Sequence, residues 1–366
     1  MKDIDSPHHI KGLFRGFLRK AFSRQEEESF LQQGAIFQWS PHLWVMGWGN
    51  RERRASPLQE KIHFFVPDFY LEEPKPWVVF ENVAIFESFP FRQEMAFLSR
   101  LSWQPPLQEE FERIFLRVQR ELQSGNLLKA VPVIKERAAF QMKPLNIKAL
   151  LRAAHKTQQF VYGYWEQDKK EGVLGATPEV LFSLKPPILT TMALAGTRAL
   201  GAPSLLESVK DIKEHQIVVD RIVNVLSEWG RVSKKGPYEE PVSGGLVHLR
   251  TDIEIHLLKV LSFEQGVRLL HPTPALGLSS EVYDWKWLKN LEELKQRRYF
   301  GAPFGVYFPD GSGKSLVAIR NVEWDGENVY IQAGCGVVKE SNLKSEWQEL
   351  ALKREAVKKN LGLFYE

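Results

Sequence analysis

The chain has 366 residues, of which 43% are hydrophobic and 26% charged, and this balance indicates an ordinary globular protein with a sizeable core. Its net charge of +4 comes from scattered lysines and arginines, so the sequence does not favour a nucleic-acid partner. The single cysteine, Cys335, excludes an intrachain disulfide and a zinc site built from cysteines, and no apolar run has the length of a membrane span. We therefore expect a cytoplasmic protein without stable membrane insertion.

The first predicted element is an amphipathic helix near the N-terminus. Hydrophobic residues recur at helical spacing from Ile10 to Phe22, with basic residues between them. A basic membrane-surface helix or a targeting peptide would show this pattern. Because Asp3 and Asp5 precede the segment and no cleavage site follows it, we favour a helix that packs on its own domain.

The first hundred residues carry β-strand and aromatic patterns. Residues 34–48 predict two strands around a turn, and Trp77–Phe86 predicts another strand. The prolines within residues 103–110 mark a boundary. They divide the chain into an N-terminal β-rich part, residues 1–102, and a second region, residues 103–366, of the same fold.

The second region alternates helical and strand patterns. An apolar stripe from Leu107 to Leu122 predicts a helix that ends at Gly125. Strand and helix candidates follow in chain order: strands at 127–134, 159–165, 180–184 and 189–195, a long helix at 205–229, strands at 304–308, 316–324 and 328–338, and a closing helix at 344–360. Strands in runs with inserted helices predict an α+β fold.

The closing helix carries a charged face. Spacings of three and four residues bring Glu346, Glu349 and Lys353 together. Gly334 and Gly336 precede the helix, and their backbone N–H groups can approach an anion closely. This combination suits a site that holds a carboxylated ligand through a divalent metal ion. An ordinary solvated helix face would show the same spacing, so the pattern alone leaves both interpretations open.

Three further candidates are individually weak. Lys129 lies in a strand-like segment, where a solvated edge lysine is the usual case. Glu179 begins a strand after a turn, and Glu214 belongs to a charge cluster on the long predicted helix. Each of them has an ordinary structural explanation when it is considered alone.

Six segments in this order nevertheless resemble the chorismate-utilising enzyme family, which includes isochorismate synthases, salicylate synthases and the first components of anthranilate and aminodeoxychorismate synthases. The segments are residues 129–131, 175–179, 194–198, 210–215, 271–277 and 334–349. The resemblance implies a single-domain fold in which large antiparallel β-sheets form a sandwich flanked by helices. It also makes residues 103–366 the chorismate-binding catalytic region.

The resemblance also implies roles for individual residues. Lys129 would be the general base that activates water, and Glu179 the general acid that protonates the leaving hydroxyl. The cofactor would be Mg²⁺, held by Glu214 and Glu349, with Glu346 acting through a water molecule. The substrate, chorismate, would be bound by Gly196, Thr197, His248, Ala275, Phe300, Arg320, Gly334, Gly336 and Lys353.

Three positions favour the isochorismate synthase branch. Ala195 stands where aminodeoxychorismate synthases commonly carry lysine, and Ala275 where the lyases tend to carry threonine. The segment from Lys210 to His215 is also typical of isochorismate synthases. We therefore expect Mg²⁺-dependent water addition at C2 with loss of the C4 hydroxyl, and no obligatory protein partner. Salicylate synthase, an ammonia-using anthranilate or aminodeoxychorismate synthase component I, and a silent chorismate-binding protein are the alternatives.

The downstream pathway is open at this stage between menaquinone and siderophore or salicylate biosynthesis. We favour menaquinone, because the sequence shows no fused lyase. Five features depart from the family pattern, namely Pro132 within a predicted strand, Leu278-Ser279-Ser280 after the histidine–proline segment, Phe300 where tyrosine is frequent, the inverted order of Gly301 and Ala302, and Cys335 where alanine is common. Pro132 implies an edge position or a bulge.

Overall fold

The computed structural model describes residues 15–91, 101–291 and 297–363. The predicted N-terminal helix over residues 10–22 lies partly outside these ranges. Within them, Arg15–Phe17 forms a 3₁₀ turn and Leu18–Arg19 forms a short strand, so the helix prediction is wrong there. Backbone pairing of Leu18–Arg19 with the strand at Trp77–Phe86 outweighs the helical spacing of the side chains.

The strands of the described residues are β1 Leu18–Arg19, β2 Gln33–Ser40, β3 Leu43–Arg54, β4 His63–Phe65, β5 Trp77–Phe86, β6 Trp103–Gln104, β7 Lys129–Ala130, β8 Val133–Ala139, β9 Phe160–Glu166, β10 Glu171–Thr177, β11 Val180–Lys185, β12 Ile188–Ala199, β13 Gly230–Val242, β14 Leu246–Leu257, β15 Leu278–Ser279, β16 Pro303–Tyr307, β17 Gly313–Val317, β18 Asn321–Asp325 and β19 Asn328–Gly334. The α-helices are α1 Arg24–Gln32, α2 Gln108–Gln123, α3 Pro144–His155, α4 Val209–Ser227, α5 Phe263–Leu270 and α6 Leu343–Leu361. This content confirms an α+β fold.

A 17-stranded sheet dominates the described structure. Its pairings run from β13 through β14, β12, β11, β17, β16, β4 and β5 to β3, β2, β9, β10, β18, β19, β8 and β6. These pairings are antiparallel, and only the short β1 lies parallel beside β5. The N-terminal strands therefore belong to the same sheet as the rest, although the boundary at residue 102 stays a prediction.

The sheet folds back on itself into two layers. Phe37 of β2 and Tyr162 of β9 contact Phe304 of β16, with ring centroids 6.4 Å and 5.1 Å apart, although these strands are distant in the pairing order. Aromatic and aliphatic side chains from both layers fill the space between them. Such an interior buries a large apolar area, and each Å² of apolar surface removed from water stabilises the fold by roughly 25 cal/mol. The predicted sandwich of antiparallel sheets is confirmed.

Helices cover both outer faces of the sandwich. Val118 of α2 and Val218 of α4 share a buried cluster with β11, β12 and β14. Leu150 of α3 and Leu361 of α6 share another with β2, β9 and β19. The apolar stripes of these helices explain their positions, because each stripe faces the sheet. In the described parts of the chain, no helix combines the length and the apolar character needed to cross a membrane.

Candidate active site

A cavity lies where α4 and α6 meet the ends of β12 and β19. Most of the residues that the sequence predicted line it, namely Glu179, Gly196, Thr197, Glu214, His248, Ala275, Phe300, Arg320, Gly334, Gly336 and Lys353. Glu346 and Glu349 line a neighbouring groove, which shares Thr197 with the cavity. Lys129 lines neither space but contacts Glu214 in the cavity wall. The fold thus brings the six family segments together with His248, Phe300, Arg320 and Lys353, which lie outside those segments.

A bulge in β12 shapes one wall of the cavity. The pairing of β12 with β14 shifts register at Gly196, whose φ of +77° is the left-handed conformation that favours glycine. The shift places Thr197 opposite His248, and the Thr197 hydroxyl lies 3.1 Å from His248 Nδ1. The Gly196 carbonyl lies 2.9 Å from the same ring nitrogen.

His248 is a neutral link between this bulge and Arg320. Arg320 Nη2 lies 3.2 Å from His248 Nε2, and because a guanidinium can only donate, Nε2 accepts and Nδ1 carries the proton. Nδ1 then donates to the Gly196 carbonyl. Burial and the charge of Arg320 lower the pKa of His248 to about 3, which agrees with a neutral ring. The imidazole therefore orients the guanidinium without adding charge.

Arg320 lies at a break in what the sequence predicted as one strand over residues 316–324. β17 ends at Val317 and β18 begins at Asn321, and Arg320 has a φ of +57° between them. A non-glycine residue in this region costs about 1–3 kcal/mol, which the surroundings must offset. The Tyr162 hydroxyl donates to the Ile319 carbonyl at 2.9 Å and helps to hold the break. The break directs the Arg320 side chain to the cavity, where burial lowers its pKa to about 10 and leaves it charged.

Glu179 is a buried carboxyl group in the cavity wall. The Glu179 N–H donates to the Thr177 hydroxyl at 3.2 Å, and the Glu179 carbonyl accepts from the Val317 N–H at 3.1 Å. Burial raises the pKa of Glu179 to about 7, although the charges of Lys129, Lys353 and Arg320 oppose the shift. Such a carboxyl is partly protonated near neutral pH, as a proton donor must be.

Lys129 is fully buried, in contrast to an ordinary edge lysine. It lies in β7, a two-residue strand that pairs with Leu278–Ser279 of β15. Pro132 has no N–H and separates β7 from β8, so the single strand predicted over residues 127–134 is wrong. The departure at Leu278 therefore belongs to the strand that supports Lys129.

The Lys129 ammonium forms an ion pair with Glu214 at 2.9 Å, and Gly336 makes this pair possible. A β-carbon at Gly336 would lie 2.0 Å from Glu214 Oε1 and 2.7 Å from Lys129 Cε. Burial would raise the pKa of Glu214, but Lys129 and Lys210 outweigh it and lower that pKa to about 2. Glu214 is therefore a permanent carboxylate.

Lys210, which the sequence reasoning did not assign, joins the two helices of the site. Its ammonium lies 3.0 Å from Glu214 Oε2 on α4 and 3.1 Å from Glu346 Oε1 on α6. Burial would lower the pKa of Lys210, but the charges of Glu214, Glu346 and Glu349 raise it overall. The only sequence signal for this role was that Lys210 begins one of the six family segments.

The predicted charged face of α6 is present, but only some of its carboxylate oxygens contact a cation or a hydrogen-bond donor. Lys353 Nζ lies 2.6 Å from Glu349 Oε1 and donates to the Gly334 carbonyl at 2.8 Å. Burial and the neighbouring Glu349 raise the pKa of Glu346 to about 7. Glu346 Oε2 is buried and has no hydrogen-bond partner in the described residues. An unpartnered buried carboxylate oxygen is costly, so this group needs a further cation or donor.

The three predicted metal ligands fit a hard divalent cation by their chemistry. Glu214, Glu346 and Glu349 supply carboxylate oxygens, which Mg²⁺ prefers together with water. Within the described ranges, however, no three Asp, Glu, His or Cys side chains converge closely enough to hold a metal ion. The ammonium of Lys210 contacts two of the three carboxylates instead. The roles of these glutamates as ligands stay predictions.

The remaining cavity wall is largely apolar. Ala275 and Phe300 line it as predicted, and Phe300 is buried. Arg297 is fully buried behind them and donates to the carbonyls of Leu276, at 2.7 Å, and Val131. Arg297 thus ties the Ala275 wall to the segment that follows Lys129, a connection over long sequence separation that no local pattern signals.

Gln332 is a second unassigned polar residue of the cavity. Its amide nitrogen donates to Glu323 Oε1 at 3.3 Å, while its buried Oε1 has no hydrogen-bond partner among the described residues. Its place in β19, two residues before Gly334, was the only available signal. The cavity therefore offers a buried acceptor beside its cations, Arg320 and Lys353.

Comparison with known proteins identifies the class. A family profile described as "Chorismate binding enzyme" matches residues 87–362, and the chain belongs to this family. The chain is 33% identical over 204 residues to the salicylate biosynthesis isochorismate synthase of Pseudomonas aeruginosa, covering 52% of this chain and 42% of that protein. It is 26% identical over 270 residues to anthranilate synthase component 1 of Pseudomonas putida, covering 70% and 53%. The chain thus spans about half the length of the curated relatives it matches.

A solved structure supports the fold. The menaquinone-specific isochorismate synthase MenF of Escherichia coli superposes with a TM-score of 0.77 at 17% sequence identity, covering 94% of this chain and 92% of that one. At this identity the likeness establishes the architecture alone. The resemblance predicted from six short segments is confirmed at the level of family and fold.

Proposed function

We propose that this protein is an isochorismate synthase that isomerises chorismate to isochorismate with Mg²⁺. One observation carries the proposal: Glu179, a buried carboxyl of raised pKa, lines the same cavity as Glu214, and a fully buried lysine, Lys129, forms an ion pair with Glu214 in the cavity wall. A buried amine and a buried acid together supply the base and the acid that the reaction needs. The residues that surround them are the ones that the family resemblance implies.

The chemistry follows from the two groups. Lys129, in its uncharged form, takes a proton from water while the water oxygen bonds to C2 of the ring. The C4–oxygen bond breaks, and Glu179 gives its proton to the departing hydroxyl, which leaves as water. Water is consumed at one carbon and released at another, so the net reaction is an isomerisation. Glu214 and Glu349 would hold Mg²⁺, with Glu346 behind a water, and the ion would supply positive charge for a substrate carboxylate.

Substrate binding falls to the cations of the cavity. Arg320 and Lys353 would bind the carboxylates of chorismate, with Arg320 held by its His248 contact and Lys353 by Glu349 and Gly334. The bulge at Gly196 and the apolar wall at Phe300 shape the space for the ring.

Two positions favour isomerisation over the other reactions of the family. Ala195 supplies no lysine amine, and Ala275 supplies no threonine hydroxyl near the ring. The protein would act in the cytoplasm without an obligatory protein partner. We favour menaquinone biosynthesis as the consuming pathway, and the genes that neighbour the coding sequence would test this choice.

The deciding experiment is incubation of the purified protein with chorismate and Mg²⁺, with products separated by chromatography. We expect isochorismate, and its absence at every enzyme concentration would contradict the proposal. Salicylate with pyruvate would indicate a salicylate synthase. Products that form only with ammonium salts would indicate an anthranilate or aminodeoxychorismate synthase component. Binding of chorismate without turnover would indicate a silent binding protein.

A further inference from the structure

The Lys210 ammonium lies between two of the three predicted metal ligands, Glu214 and Glu346. Its Nζ lies 3.0 Å from Glu214 Oε2, 3.1 Å from Glu346 Oε1 and 3.7 Å from Asp211 Oδ1. Glu214 and Glu346 belong to different helices, so the ammonium is the cation that bridges α4 and α6. Lys129, the other cation at Glu214, contacts the opposite oxygen, Oε1.

The acidic groups need this bridging charge. Glu346 is 2% exposed, and one of its oxygens already lacks a hydrogen-bond partner among the described residues. Without the ammonium, Glu214 and Glu346 would face each other as buried carboxylates with less compensation, and this arrangement would destabilise the site. In the metal-free site, the Lys210 ammonium therefore neutralises the carboxylates as a bound metal cation would.

A divalent ion and the ammonium cannot share this position. Two cations in contact repel strongly in a partly buried site, and Mg²⁺ demands oxygen ligands at about 2.1 Å. An oxygen that contacts the ammonium of Lys210 has to turn toward the ion. The lysine must then leave the carboxylates as the metal enters.

The surroundings of Lys210 leave space for its side chain to move away from the carboxylates. Lys210 is the second residue of α4, its side chain is 23% exposed, and it lines the groove beside the cavity. Asp211 lies within reach on the same turn and is itself fixed by Arg198 at 2.8 Å. A flexible four-carbon stem can therefore move its ammonium into the groove without a change of the helix.

We infer that Lys210 is a tethered cation that holds the metal-free site together and is displaced by Mg²⁺, so that it lowers metal affinity. This inference rests on the Mg²⁺ dependence of the proposed function. It predicts that Lys210→Met binds metal more tightly, because metal no longer competes with the lysine. It also predicts that the wild-type Lys210 amine becomes accessible when metal binds.

The first measurement is Mn²⁺ and Mg²⁺ binding without chorismate, by electron paramagnetic resonance and calorimetry. We expect Lys210→Met to bind about tenfold more tightly than wild type. Lys213→Met is the matched control: it removes the same charge from the same helix, but Lys213 is 53% exposed and pairs with Glu340 instead. Equal tightening in both variants would overturn displacement and leave only a general charge effect.

The second measurement uses the wild-type protein, so it does not depend on how well a variant folds. Reductive methylation with mass spectrometry reports the reactivity of each lysine with and without Mg²⁺. Lys210 should react several-fold faster with metal, while Lys213 should not change. Metal binding without a change at Lys210 overturns the inference alone. If neither the wild type nor the variant binds metal, both this inference and the Mg²⁺ requirement of the proposed function are wrong. The turnover of chorismate can then still be tested separately.

Discussion

Gly336 stands directly against Glu214: a β-carbon on Gly336 would lie 2.0 Å from Glu214 Oε1. The carboxylate has little freedom to retreat, because it is buried and lies within 3.0 Å of both Lys129 and Lys210. The missing side chain therefore lets Lys129, the proposed base, contact Glu214, a predicted metal ligand, in the wall of the cavity. This close approach is a second reason for a glycine, beside the exposed amide that the sequence suggested.

Gly336→Ala should therefore remove activity without unfolding the protein. The new methyl group must displace Glu214 and, with it, Lys129, and a shift of about 1 Å at a catalytic group costs on the order of 10²-fold in rate. We expect kcat/KM for chorismate to fall by about that factor while the melting temperature changes little. Gly16→Ala is the control, because no described atom lies within 4 Å of a β-carbon there. Full activity of Gly336→Ala would show that the close approach of Gly336 to Glu214 does not constrain the site.

Lys129→Met should abolish water addition while metal binding survives. The variant lacks the amine that we propose as the general base, and a positioned general base contributes about 10²–10⁴-fold to rate. Glu214 keeps Lys210 as a partner at 3.0 Å, so it stays charged and can still serve as a ligand once the lysine is displaced. Steady-state kinetics and metal titration measure the two effects. Turnover close to that of wild type would refute the assignment of Lys129 as base.

The raised pKa of Glu179 predicts the pH dependence of the reaction. Glu179 donates a proton only when it is protonated, and burial raises its pKa to about 7. The protonated fraction is therefore high below pH 7 and falls about tenfold per pH unit well above it. We expect kcat/KM at saturating Mg²⁺ to decline as pH rises through 7, because kcat/KM reports the free enzyme.

Two variants test this assignment. Glu179→Gln should lose activity at every pH. Glu323→Gln removes another buried carboxyl whose pKa is raised to about 7, and it should keep the alkaline decline. A rate that stays constant up to pH 9, or a decline that disappears in Glu323→Gln, would assign the proton donor elsewhere.

The sequence predicted elements where local patterns decide the structure. The stripe from Phe111 to Leu122 gives α2, and Trp77–Phe86 is the strand that its apolar pattern predicted. The break at Arg320 was not predictable, because the Tyr162 hydroxyl that helps to hold it comes from another part of the sheet. Local spacing carries no information on such contacts.

In the candidate site, too, some features were predictable from the sequence and others were not. The order of six segments predicted which residues would meet, although each residue was weak alone. What the sequence lacked were the ion-pair partners: Lys129 with Glu214, and Lys210 between Glu214 and Glu346. Those contacts depend on how α4 and α6 pack on the sheet, which only the fold determines.

Glu349→Gln should weaken Mg²⁺ and chorismate binding together. Its carboxylate lies 2.6 Å from Lys353 Nζ, so the neutral amide removes a predicted metal ligand and also loosens a cation that would meet the substrate. We expect the Mg²⁺ concentration for half-maximal activity and the KM for chorismate each to rise at least about tenfold, as for a lost charge-assisted contact of about 1.5–3 kcal/mol. Glu355→Gln is the matched control on the same helix, since Glu355 is 53% exposed and contacts Lys358 away from the cavity. An unchanged Mg²⁺ requirement in Glu349→Gln would exclude the ligand role, and a rise in KM alone would leave Glu349 as a residue that positions Lys353.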